Sequence, residues 1–220
     1  GQGEVSADFP GLARRRRQQE LPEEKQIYVT GCAGNLTAGK YNTGATTNRP
    51  ALAGRLHQAM VNAWAATQRM PLARVDFRVE RVRLEPRDGP GFTVPDLEQT
   101  LATNSRPFQQ CLAAMGLSWR RRADAGHRIE IPCLDFGVAQ WLLLPGESYV
   151  EFQLAAQRMR PDSFVLVAGY GEGATGYVPT ERHRAEHDGN LIDWSWVAPG
   201  SETRLLEAIR RVLRVPASKP

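Results

Sequence analysis

Apolar residues recur along the chain with two different periods, and the switches between them outline the elements. Leu52, Leu56, Met60 and Trp64 stand four apart after Asn48-Arg49-Pro50, which predicts an amphipathic helix with one apolar stripe. His57 sits beside that stripe, where a lone histidine is more often structural than functional. Phe108, Cys111, Leu112 and Met115 predict a helix over 104–115, closed by Gly116. Leu205, Leu206, Ile209 and Leu213 predict a last helix over 202–212. Near the start, Ser6 or Asp8 offers an N-cap and Pro10 a first-turn residue for a helix reaching about Gln19. Residues 147–159 read as helical and stop before Pro161.

The period of two appears elsewhere. Val75, Phe77 and Val79 alternate, and Val82 and Leu84 continue after a one-residue slip, which predicts a strand with a bulge. Gln26-Ile27-Tyr28-Val29-Thr30 is a short β-rich run. Strands over 128–134 and 138–144 meet at Asp135-Phe136-Gly137, a hairpin signal. Residues 163–170 form a continuous apolar run, which predicts a strand buried on both faces. The following loop, 171–200, carries Tyr177, Trp194 and Trp196, and loops that long in compact domains are usually functional. Within it, residues 181–190 are almost devoid of apolar side chains, so no packed helix is expected there. The predicted class is α/β, or mixed α+β, with a mixed sheet flanked by helices.

The 220 residues, 41% hydrophobic and 24% charged, suffice for one globular domain or slightly more. Much of the net charge of +4 lies in two arginine runs, 14–17 and 120–122. Such runs are usually solvated faces, and aromatic interleaving is limited to Trp119 beside Arg120, so no nucleic-acid partner is expected. Cys32, Cys111 and Cys133 are odd in number and far apart, which argues against a disulfide framework or a zinc knuckle. Buried thiols are expected at Cys111 and Cys133. No apolar run reaches the ~18–20 residues of a membrane span, and no leader pattern is visible from Gly1 to Phe9. Gly1 is not a natural start, so the compartment stays open.

Two motifs are decoys. Gly171-Glu172-Gly173-Ala174-Thr175-Gly176 has dinucleotide-loop spacing after a strand, but Tyr177-Val178-Pro179-Thr180 follows where a helix must open. Asp135-Phe136-Gly137 spells a kinase triplet with the rest of the kinase set missing. Other segments carry chemistry. Leu144-Pro145-Gly146-Glu147 puts a carboxylate where a strand ends and a helix begins, either as a site residue or as an acid that suits the helix dipole. Gly31-Cys32-Ala33-Gly34-Asn35-Leu36-Thr37-Ala38-Gly39-Lys40 combines glycines that admit close backbone approach with polar Asn35 and Thr37. His183 and His187 stand at i and i+4, the spacing of a ligand pair.

Taken in order, Val5-Ser6-Ala7-Asp8-Phe9-Pro10-Gly11-Leu12-Ala13, Gly34-Asn35-Leu36-Thr37, Leu144-Pro145-Gly146-Glu147 and Gly176-Tyr177-Val178-Pro179-Thr180 resemble the neutral/alkaline (non-lysosomal) ceramidase family, in particular its bacterial ceramidase-like branch. The resemblance implies a zinc amidohydrolase acting on the amide of ceramide or another N-acyl lipid, with membrane-surface contact compatible with such a substrate. It implies Glu147 and Tyr177 as zinc ligands, Thr37 and Tyr177 as catalytic residues, and Gly34 and Asn35 as substrate-binding residues. It further implies that residues 1–216 are the C-terminal portion of a larger catalytic domain, with 217–220 a disordered tail. Two zinc histidines would then lie upstream of Gly1, and the chain alone would bind zinc weakly or not at all. Three departures set this chain apart. Thr37 stands for a serine, Asn35 for an aspartate, and Arg182-His183-Arg184-Ala185-Glu186-His187 for a tyrosine-rich stretch. They bear on the identity of the substrate more than on metal-assisted hydrolysis.

Overall fold

A computed structural model describes residues 5–215; the tail expected at 217–220 lies outside them. The chain divides into two compact units, residues 1–29 with 37–71, and residues 30–36 with 72–220.

The first unit is a helix pair, α1 (Asp8–Glu20) and α2 (Asn48–Ala65), packed together. Pro10 occupies the first turn of α1 as its fixed φ favours, but no side chain caps the helix. Ser6 instead accepts the Asp8 N–H at 3.1 Å, and the Asp8 carboxylate pairs with Arg49 at 2.9 Å. Along α2 the buried residues are Ala53 and His57, with Leu52, Leu56 and Met60 half-buried and Trp64 exposed. His57 Nε2 lies 2.9 Å from Glu20 Oε2, so this histidine ties the two helices together. Arg17, from the first arginine run, is buried beside the same carboxylate. Residues 26–30 belong to no ladder, although the Thr30 carbonyl accepts the Gly169 N–H at 2.9 Å.

The second unit is built on a four-stranded sheet of order β1-β2-β3-β5, from β1 (Asp76–Val82), β2 (Ile129–Asp135), β3 (Ala139–Pro145) and β5 (Phe164–Gly171). Here β4 (Glu147–Ser148) belongs to a smaller ladder described below. The first three strands run antiparallel and β5 runs parallel to β3, the crossover being α5 (Val150–Met159). The predicted hairpin turns at Asp135, whose Oδ1 accepts the Gly137 N–H at 2.8 Å. One sheet face carries Ile129, Ile131, Leu142, Leu144 and Val165, all buried. They form one core with Phe152 and Ala156 of α5 and with Leu205, Ala208, Ile209 and Val212 of α7 (Ser201–Val212). Within this face Arg78 Nη2 donates to Asp135 at 2.9 Å and to Gln140 Oε1 at 3.0 Å.

Helices α3 (Val94–Thr103) and α4 (Pro107–Asp124) pack as a second pair. The structure places α4 through Gly116 rather than ending there. A Cβ at Gly116 would press into the indole of Trp196, so this glycine is a notch for a ring and not a helix stop. Continuing the helix moves its buried face to Leu112, Ala113, Leu117, Trp119 and Ala123, and leaves Phe108, Cys111 and Met115 exposed, contrary to expectation. Arg120 and Arg121 of the second arginine run are tied to Asp88, Asp124 and Glu98. No described helix is long and apolar enough to cross a membrane.

Candidate functional site

The site begins where β3 leaves the large sheet. Its ladder with β5 shifts register between Leu143 and Pro145, and the chain turns at Gly146. Gly146 has φ of +48°, and a Cβ there would collide with Thr175 and the Gly176 carbonyl, so only glycine fits this turn. Directly after it comes β4, and the helix opens three residues later at Val150, not at Glu147. Glu147 is therefore a strand residue beside a helix start.

The partner of β4 arrives from 30 residues downstream. In the predicted loop 171–200, residues Tyr177–Val178 form β6, which pairs with β4 in parallel, Glu147 with Tyr177 and Ser148 with Val178. Residues paired in register on neighbouring strands project to the same side, with backbones about 4.8 Å apart. Glu147 and Tyr177 are thus side by side, each half-buried. On its other side β6 is held by the Tyr177 N–H donating to Trp194 O at 2.8 Å and by Ser195 Oγ donating to Tyr177 O at 2.9 Å.

The electrostatics agree with this closeness. Burial pushes the Glu147 carboxyl above its usual range, opposed by a hydrogen bond from Tyr170. Burial, then the charges of Glu147 and Asp188, push the Tyr177 phenol up. Tyr170, the last large side chain of β5, has φ of +59°, and its N–H donates to Gly146 O at 2.8 Å. Below the pair lies Tyr149, fully buried, whose hydroxyl donates to Asp188 Oδ2 at 2.7 Å. Its ring meets those of Tyr177 and His183 edge-on, with centroids 6.1 Å and 4.8 Å away.

The loop 30–36 packs against β4 from the same unit. A Cβ at Gly34 would strike the Glu147 carbonyl and the Tyr149 ring, so the loop can approach only as glycine. The Gly34 N–H donates to Ser148 O at 3.2 Å. Asn35 is engaged at both ends of its amide. Its Oδ1 accepts the Val150 N–H at 2.9 Å, and its Nδ2 donates to Glu151 Oε2 at 2.9 Å. Asn35 thereby caps α5 from a distance, a helix with no side-chain cap of its own. Burial holds the neighbouring Cys32 thiol up at about 12. Thr37 is exposed and belongs to the first unit.

Sequence reasoning missed Tyr170 and the Tyr149–Asp188 pair. The sole signal for Tyr170 was its place at the end of an apolar run that empties into glycines. The histidine pair is corrected. His183 lies in a short helix, α6 (Glu181–Ala185), and its Nδ1 is 2.8 Å from Thr180 Oγ1. His187 lies beyond that helix with φ of +54°, off its face. Helix α6 forms despite having no buried residue, because polar tethers hold it. The Glu202 carboxylate accepts the Glu181 N–H at 2.5 Å, and Arg184 donates to Val197 O at 2.9 Å.

Glu147 and Tyr177 carry a carboxylate and a phenol, two oxygen donors on paired strand positions. Among the described residues no group of three His, Cys, Asp or Glu side chains could hold a metal. Zinc sites use four ligands, or three and an open position. Two oxygen donors are fewer than such a shell requires.

No family model matches the chain, and no curated protein sequence matches it significantly. Solved structures do. The neutral ceramidase from Pseudomonas aeruginosa superposes with a TM-score of 0.59 at 20% identity, over 98% of this chain and 42% of that one. A ceramidase complexed with C2 superposes with a TM-score of 0.62 at 17% identity, over 98% of this chain and 44% of that one. The chain thus spans less than half the length of these structures, and over that part it has the ceramidase fold.

Proposed function

We propose that this chain supplies part of the active site of a ceramidase-type zinc amidohydrolase that cleaves an N-acyl amide, in ceramide or a related lipid. The observation that carries the reading is the in-register pairing of Glu147 with Tyr177 on a two-residue ladder joining distant segments. The ceramidase fold of the matched structures supports it.

Glu147 and Tyr177 would hold the zinc, with two histidines from outside this chain. When bound, zinc polarises the amide carbonyl and acidifies the attacking water. Tyr170 orients the Glu147 carboxylate through its hydrogen bond. Burial and the Glu147 charge favour the protonated phenol of Tyr177, so that side chain keeps a proton to share with an oxygen gaining charge. Gly34 and Asn35 contribute by fixing the loop against β4, since both amide atoms of Asn35 are already engaged.

The test uses the protein translated from its complete natural reading frame, with Glu147→Gln and Tyr177→Phe. Zinc per chain is measured by mass spectrometry, and turnover with a fluorescent N-acyl sphingosine. Glu147→Gln should lose most of the zinc, and each variant should lose about 100-fold or more in turnover. Full zinc content and full turnover in Glu147→Gln would remove the proposal.

A further inference from the structure

The large sheet buries one face, and the other is apolar and open. Across all four strands the register aligns Phe77, Leu134, Trp141 and Leu166 in one row. Val79 pairs with Pro132 and Ala139 with Phe164 on the same side, whereas at the far end of β5 Ala168, opposite Leu143, is covered. Phe77 is 63% exposed, Phe164 68%, Leu166 47% and Trp141 38%. The charged residues of this face, Arg81 and Glu130, neutralise one another at 2.8 Å. Three strand spacings and six or seven residues of length make a patch roughly 15 Å by 20 Å. An apolar patch of that order is about as large as the largest that monomers ordinarily expose, and such patches are often functional.

We infer that this face docks a further polypeptide layer, the part of the ceramidase-like fold that lies beyond this chain. Three observations select that occupant. The row is in register and made of aromatic and aliphatic side chains, as in the inner face of a packed sheet. Strand β5 has the composition of a strand covered on both sides, yet one side is open. The chain aligns over 98% of its length with structures that hold more than half their residues outside the match. The inference is independent of the zinc reading, because it concerns the sheet and not the β4–β6 ladder.

Hydroxyl-radical footprinting by mass spectrometry tests it on two samples, the 220-residue chain and the protein from the complete natural reading frame. Oxidation of Trp141, Phe77 and Phe164 should fall at least about fivefold in the longer protein. Leu166→Glu should leave the circular dichroism of the 220-residue chain unchanged, but raise Trp141 oxidation again in the longer protein. Equal oxidation in both samples overturns the inference, as does a reading frame that adds no residues. Protection of the 220-residue chain that grows with its concentration, and is abolished by Leu166→Glu, would overturn it in favour of a second copy. Protection that requires phosphatidylcholine vesicles would overturn it in favour of a lipid surface.

Discussion

Replacing Asn35 by alanine removes two interactions that hold the site loop to α5. The first is the cap on the Val150 N–H at 2.9 Å. Loss of such a cap costs about 1 kcal/mol, because a helix-start donor loses its acceptor. The second is the amide hydrogen bond to Glu151 Oε2 at 2.9 Å. Hydrogen bonds to charged groups contribute about 1.5–3 kcal/mol when buried. Glu151 is 31% exposed at its side chain and keeps Arg182 at 3.2 Å, so water and that arginine recover much of the loss. The sum is about 2 kcal/mol, or a fall of about 4–8 °C in melting temperature for a unit of this size. Asn35→Asp separates the two parts. It keeps the acceptor for Val150 but sets a second carboxylate against Glu151. Two carboxylates at that distance cannot both ionise without cost, so proton binding is favoured in the folded variant. Stability is then fully present below the carboxylate range and is lost as pH rises through it. Asn35→Asp should therefore melt near wild type at pH 4 and fall behind by pH 7, and Glu151→Gln in the same chain should remove the gap. Circular dichroism melts at the two pH values read all four proteins. An Asn35→Ala chain melting within 1 °C of wild type, or a double variant no better than Asn35→Asp, would refute the assigned bonds.

Other expectations follow from the same geometry. Gly34→Ala should cost about 1–3 kcal/mol in a denaturant titration, since its methyl group meets the Glu147 carbonyl and the Tyr149 ring, both held in place. Burial raises Tyr149 and, to a lesser extent, Tyr177 above their usual value of 10, so the stability they carry is complete below pH 10 and is lost as pH rises beyond it. Wild type should lose stability above pH 10 more steeply than Tyr149→Phe, as measured by urea midpoints. Of the three thiols, Cys111 alone is exposed, so a native-state thiol titration should label one equivalent promptly, and Cys32 and Cys133 only on unfolding.

Much of the fold was legible because its signals are local. The stripe of α7, the Pro161 stop after α5 and the turn at Asp135-Phe136-Gly137 needed no knowledge of distant partners. Helix α3 was overlooked although Thr93-Val94-Pro95-Asp96 announces it, with Thr93 accepting the Asp96 N–H and Pro95 in the first turn. Failures elsewhere came from partners that a linear reading cannot place. Gly116 looks like a terminator until Trp196, eighty residues on, fills its notch. Gln26-Ile27-Tyr28-Val29-Thr30 has strand composition but forms no ladder, although the Thr30 carbonyl meets the Gly169 N–H. Helix α6 rests on Glu202 and a carbonyl rather than on apolar spacing. For the site, residue type and loop position singled out Glu147 and Tyr177, whereas the commitment of Asn35 to α5 appears only in three dimensions.

A two-residue ladder has consequences for what this chain can tolerate. Side chains alternate sides along a strand, so displacing β6 by a single position would carry the Tyr177 ring to the far side of Glu147. Segments 144–147 and 173–177 are pinned to each other by abutting backbone at Gly146 and Gly176, leaving no slack to absorb an inserted or deleted residue. Lineages of this protein should therefore keep the two short segments at constant length.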